Sequence, residues 1–376
     1  MTWQLGHNRG MPHHRFVELL NPFPRLIAIS AVGLVLCACS SVRYYAQAVH
    51  GQGELVFRRR AVSAIVQDPA TKPELAARLR LAQQARLFAS QRLGLPDNRS
   101  YTSYVDLHRD YVVWNVFAAP RYSVEPVLYC FPIAGCVAYR GYFNEAAAKA
   151  EVARLQQRSY DVEIGGVSAY STLGWFADPI LSSMLRWDDD ELDSTIFHEL
   201  AHQLIYVKDD TAFNESFATF VQTEGLREWR QSRDLPAQDD RTQAMDAGFT
   251  RLVLDLRERL KTLYASGVGE PAMEAGKQRE IAAFRQRYQQ WRDHDWPQDH
   301  TYDGWVAAPI NNARLLPFGL YDQWTASFGV LFQRAESSWP AFYASVRALA
   351  KLPRAQRESQ LQALLADSHT KPASVD

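Results

Sequence analysis

His198 and His202 are the residues most plainly spaced for chemistry. They stand in DSTIFHELAHQLIY, residues 193–206, in the order His-Glu-x-x-His. On a helix, positions four apart lie about 40° apart around the axis, on one face. Both imidazoles therefore point the same way and can bind one metal ion through ring nitrogens. Glu199 follows the first histidine and lies beside the metal's open position, where a carboxylate can take a proton from water. Asp193 and Ser194 stand where a helix N-cap belongs, and Ile196, Phe197, Leu200, Leu204 and Ile205 supply apolar surface.

A hydrolytic zinc site needs a third protein ligand, and a carboxylate from a following helix is a common source. The next segment, DDTAFNESFATFVQTEG, offers Glu215, with Asp209, Asp210 and Thr211 as a polar turn before it. Phe213, Phe217 and Phe220 are expected to pack around Glu215, which takes it off the solvated face where a helical Glu ordinarily lies. Glu224 is the reserve ligand.

These residues need a scaffold. Residues 73–93 repeat apolar positions at helical spacing behind Pro73. YVVWNVFAA, YSVEPVLYC and CVAYRGYF are short aromatic and β-branched runs broken by Pro and Gly, and they read as strands of one antiparallel sheet. NEAAAKAEVARLQQR, residues 144–158, has an Asn cap and an Ala-rich helical body. DVEIGGVSAYSTLG, residues 161–174, is extended again, with Gly165-Gly166 suited to close approach of another backbone. Beyond Asp178-Pro179 nearly everything reads as helix. The fold class is α+β: a sheet-containing region over 73–190, with a small antiparallel sheet, then a mainly helical body over 191–376.

Composition is that of an ordinary globular chain: 376 residues, 47% apolar, with 41 Lys plus Arg against 42 Asp plus Glu. That balance lacks the basic excess a nucleic-acid protein needs to neutralise phosphates. Nor does it show the low hydrophobicity and high charge of a disordered chain.

The N-terminus differs. Arg9, Arg15 and Arg25 precede an apolar run from Leu26 to Ala38, too short to span a bilayer but suited to a signal peptide. A short anchor that stays attached is the alternative. Leu36-Cys37-Ala38-Cys39 resembles the bacterial lipobox. That resemblance implies a signal peptide over 1–38, lipid on Cys39 and a lipidated tether over 39–72. Ser40 then implies sorting to the outer membrane of a Gram-negative bacterium, facing the periplasm. Cys130 and Cys136 remain, with Pro132 and Gly135 between them favouring a turn. In an oxidising compartment they can bridge, and two buried free thiols are the other reading.

HELAHQ followed by NESFA is similar to the gluzincin metallopeptidases, the group of thermolysin and aminopeptidase N. The whole mature chain resembles the bacterial family of predicted zinc aminopeptidase lipoproteins, through CSSVRYYAQAVHGQ, AGCVAYRGYF, GVSAYSTLGWFADPIL, HELAHQ, NESFA and INNARL in that order. The resemblance implies a zincin-like fold, one Zn2+ held by His198, His202 and Glu215, and Glu199 as base. It also implies a peptide substrate, lying along an upstream edge strand at Gly166, Val167, Ser168 and Ala169. Aminopeptidase N has a Glu in that strand for the free amino terminus. Here the nearest carboxylate is Glu163. The linker from His202 to Glu215 is shorter than in the better-known gluzincins. Thr219 stands where thermolysin-like enzymes place an acid to orient a histidine, which leaves that partner unassigned. An oxyanion donor is expected from a tyrosine, with Tyr321 and Tyr302 the candidates. Two other readings are an endopeptidase or peptidoglycan-linked peptidase with the same metal site, and a non-enzymatic envelope lipoprotein with a structural zinc.

Overall fold

The computed structural model describes residues 42–131, 135–318 and 323–370. The signal-like segment, Cys39 and Tyr321 lie outside the described residues. Two units are distinguished, Met1–Gln47 and Ala48–Asp376; residues 42–47 of the first are helical. The second unit carries the rest. It opens on helix α1, residues 48–57, then β1 (Arg60–Ala61) and α2 (Val62–Gln67). Much of the stretch read as a tether is therefore folded. Leu55, Val62 and Ile65 are buried, and Glu54 pairs with Arg109 at 3.1 Å.

Helix α3 (Pro73–Gln91) starts on Pro73, whose fixed φ and missing N–H suit a first helical turn. The strands that follow are β2 (Ser103–Val105), β3 (Val113–Pro120), β4 (Tyr129–Phe131), β5 (Gly135–Val137) and β6 (Tyr139–Tyr142). Helix α4 (Glu145–Gln156), capped by Asn144, leads to β7 (Tyr160–Val167), and β8 (Ile180–Leu181) closes the set. They do not form the single antiparallel sheet expected. β6–β3–β7 is antiparallel, β4–β5 is a separate hairpin, and β2 joins antiparallel β1 to parallel β8. Pro126 interrupts YSVEPVLYC: it has no N–H for a ladder, and only the last residues of that run become strand.

The helical body comprises α5 (Asp189–Leu204), α6 (Thr211–Ser232), α7 (Asp240–Ala265), α8 (Glu270–Asp295), α9 (Asp303–Ala307), α10 (Thr325–Arg334), α11 (Trp339–Ala350) and α12 (Arg354–Thr370). The architecture is α+β, as the residue pattern implies. One apolar core joins Leu79 and Phe88 of α3, Tyr104 and Ile180 of the mixed sheet, Phe197 of α5, Phe217 of α6 and Phe342 of α11. It runs straight through the expected break near residue 190. A second core gathers Phe249, Phe284 and Tyr288 of α7 and α8. Gly225 lets α6 lie against α3 and α5: a Cβ there would come within 2.8 Å of Leu93 and 3.1 Å of Phe197.

Candidate metal centre

Helix α5 starts one turn before the expected cap. Asp188 is the N-cap, its carboxylate accepting from the Glu191 N–H at 2.8 Å, and Asp189, Asp190 and Glu191 fill the positive end of the dipole. Asp193 and Ser194 are instead buried inside the helix, where the Trp229 indole donates to Asp193 at 2.8 Å.

The six residues 205–210 turn the chain from α5 into α6. Ile205 is extended and stops α5; Asp209 adopts φ +64°. Asn214 clamps the turn, its Oδ1 accepting from the Val207 N–H and its Nδ2 donating to the Val207 carbonyl, both at 2.7 Å. Asp210 caps α6 through the Phe213 N–H and is held from behind by Arg357 of α12 at 2.5 and 2.9 Å. The β4–β5 hairpin, closed by a Cys130–Cys136 disulfide, braces the same turn: the Cys136 N–H donates to Asp209 at 2.7 Å.

That framework brings three donor atoms together. His198 Nε2 and His202 Nε2 are 3.1 Å apart, and Glu215 Oε2 lies 3.4 and 3.6 Å from them. Tetrahedral ligands at zinc bond lengths stand about 3.3 Å from one another, so the triangle fits such an ion. Among the described residues this is the cluster that could hold a metal. Burial opposes ionisation of Glu215, but the charges and hydrogen bonds of His202 and His198 outweigh it and hold its carboxyl well below the usual range. Burial likewise opposes a charged His198, yet Glu215 and Glu199 raise its pKa. The site is electronegative and suited to a cation.

The three phenylalanines do not surround Glu215. Two residues along a helix is about 200° around it, so Phe213, Phe217 and Phe220 face the core, against Phe328, Phe332 and Phe342. Glu215, Thr219 and Gln222 share the opposite stripe. Gln222, not Thr219, holds His198: its Oε1 is 2.9 Å from His198 Nδ1, and its Nε2 donates to Ser194 at 3.3 Å. Glu224 is paired with Arg227 at 2.6 Å, away from the triangle.

Of the expected substrate strand, Gly166 and Val167 end β7 and pair with Trp114 and Val113. Ser168 and Ala169 follow the strand, and the Ser168 carbonyl accepts from Ser183 at 2.5 Å. Among the described residues β7 is an edge, paired only with β3. Gly166 admits a ring rather than a backbone, since a Cβ there would meet Tyr111 at 2.3 Å. Glu163 lies 3.8 Å from Arg314.

Tyr302 is stacked on Phe249 at 3.7 Å and donates to Asp246 at 2.6 Å, within the α7–α8 core. Neither partner belongs to the metal triangle. Tyr139, which residue pattern did not single out, stands on β6 opposite Phe117. Burial, with the nearby charges of Glu215 and Glu199, pushes its phenol pKa up. It stays protonated and able to donate.

A family model described as putative aminopeptidase matches residues 43–361. The chain belongs to this family. The match takes in all three sheets, the His198–His202–Glu215 triangle and the helical body, and family membership points to a peptidase. No curated protein and no solved structure matches.

Proposed function

We propose that the protein is a zinc-dependent peptidase, an aminopeptidase of the bacterial envelope. The observation that carries this reading is the convergence of His198, His202 and Glu215 on one point, with Glu199 next to a ligand on α5. A Zn2+ held there would supply Lewis acidity toward the scissile carbonyl and acidify water. Glu199 takes the water proton and delivers it to the leaving amine. Tyr139 donates to the oxyanion as it develops. The edge of β7 receives the substrate backbone. Lipid on Cys39 holds the enzyme at the outer membrane, facing the periplasm, consistent with the disulfide at Cys130–Cys136.

Metal content tests the centre first. The full chain should bind close to one zinc, and Glu215→Ala should lose most of it. Equal zinc in both would move the third ligand elsewhere. No zinc in either would remove the enzyme reading and leave an envelope lipoprotein without catalysis.

A second reading, endopeptidase or peptidoglycan-linked peptidase, has one observation in its favour. The carboxylates on β7 are engaged, Glu163 near Arg314 and Asp161 with Lys277 at 2.6 Å, so none stands ready for a substrate amino terminus. Amino-acid amides cleaved faster than N-blocked peptides favour the aminopeptidase; the reverse order favours the endopeptidase.

A further inference from the structure

Glu199 and Gln203 lie one turn apart on α5, beside the stripe that carries the two histidines. The loop 171–178 approaches this neighbouring stripe at two places. Gly174, at φ +81°, sits where a Cβ would be 3.5 Å from the Gln203 side chain. At the loop's base, Asp178 is within electrostatic reach of Glu199. The loop is built, not loose. Asp178 is buried and accepts from Thr172 through its N–H at 3.0 Å and its hydroxyl at 2.7 Å. Thr172 Oγ1 also accepts from the Phe176 N–H at 3.0 Å, and the Trp175 N–H donates to the Thr172 carbonyl at 3.1 Å.

This framework presents two large aromatic side chains to solvent, Trp175 at 68% and Phe176 at 51% exposure. Leaving large aromatic side chains in water forgoes hydrophobic burial, and adjacent aromatics on a fixed loop commonly mark a contact surface. The loop continues from β7, so a peptide paired to that edge is led toward it. Residues 167–177, VSAYSTLGWFA, carry no charged side chain. Nothing on this stretch would pair with a basic or acidic residue of the substrate.

We propose that Trp175 and Phe176 form the side-chain subsite of the metal centre and take an aromatic or branched apolar residue of a peptide beside the scissile bond. This inference rests on the peptidase reading above and names its substrate class.

Calorimetric titration of the zinc-loaded full chain with hydroxamic acids bearing a benzyl, an isobutyl or a methyl group tests it without requiring turnover. The benzyl compound should bind at least about tenfold more tightly than the methyl compound, the scale expected for filling an apolar subsite. The paired change Trp175→Ser with Phe176→Ser should bring the ratio within about twofold, with zinc content and methyl-hydroxamate affinity unchanged, whereas Trp175→Phe should keep most of the preference. Both residues are exposed, so folding should survive. No preference in the parent, or a preference untouched by the paired change, overturns the subsite and leaves the peptidase reading standing. Stoichiometric zinc with no hydroxamate binding overturns the open metal centre, and the subsite falls with it.

Discussion

Gln222 Oε1 lies 2.9 Å from Nδ1 of His198, and its amide nitrogen is in turn held by Ser194. The carbonyl oxygen accepts the ring N–H, which leaves Nε2 unprotonated and aimed at the point His202 and Glu215 share. Replacing Gln222 with Leu should therefore lower zinc affinity by about 10- to 100-fold while the fold persists. Gln222→Glu keeps an acceptor and should retain most of it. Competition against a chelator of known affinity measures both. Unchanged affinity in the Leu variant would mean that His198 is oriented by helix packing alone.

Tyr139 and Tyr302 make a contrasting pair. The first lies in the field of Glu215 and Glu199; the second is consumed by Phe249 and Asp246. Tyr139→Phe should lower kcat by about 100-fold, the usual scale for losing one oxyanion donor, with KM and zinc content little changed. Tyr302→Phe should leave kcat alone. Glu199→Gln should keep zinc and lose turnover by a larger factor. A Tyr139→Phe enzyme at full rate would assign the oxyanion to another donor.

Arg357 and Asp210 are nearly inaccessible, at 5% and 4% side-chain exposure. The carboxylate caps α6 at one oxygen and meets the guanidinium at the other, so α12 locks the helix that carries Glu215. Arg357→Met would strand a buried charge and should destabilise the fold by about 3–5 kcal/mol. Adding Asp210→Asn to that variant should recover part of the loss. Urea unfolding with intrinsic fluorescence reads both. A loss under about 1 kcal/mol in the single variant would show that water reaches Asp210.

The parts of the site legible from residue types are those set by helical period. His198 and His202 needed only a helix between them, and Glu215 needed only a second helix close behind. Gln222 was reachable by the same arithmetic, as the residue seven beyond Glu215 on its stripe, whereas the four-residue step led to Thr219. Phe213, Phe217 and Phe220 are close to Glu215 in sequence but lie off its face of α6, so sequence proximity does not make them its neighbours. The cap was displaced because four consecutive acids, Asp188 to Glu191, precede Asp193, and the first of them serves. Tyr139 was beyond local reasoning: its place depends on how the β6–β3–β7 sheet docks on the helical body, which no short-range pattern encodes. The loss of a single sheet has the same origin, since strand order is a long-range property.

Asp193 offers a test by pH. Burial pushes its pKa up to about 7, against the partial offset of the Trp229 hydrogen bond, and its second oxygen is buried without a hydrogen-bond partner. A carboxyl whose folded pKa exceeds its unfolded value of 3.8 binds its proton more tightly when folded. Its contribution to stability is complete below the unfolded value and is lost as pH rises to about 7. A shift of this size corresponds to at most about 4 kcal/mol. Asp193→Asn removes the titration while keeping an oxygen for Trp229. The parent should therefore lose stability between pH 4 and pH 7 relative to this variant, and the two curves should run parallel above about pH 8. Urea midpoints across that range give the comparison. Parallel curves throughout would show that Asp193 is ionised in the fold at its ordinary pKa, with water at the second oxygen.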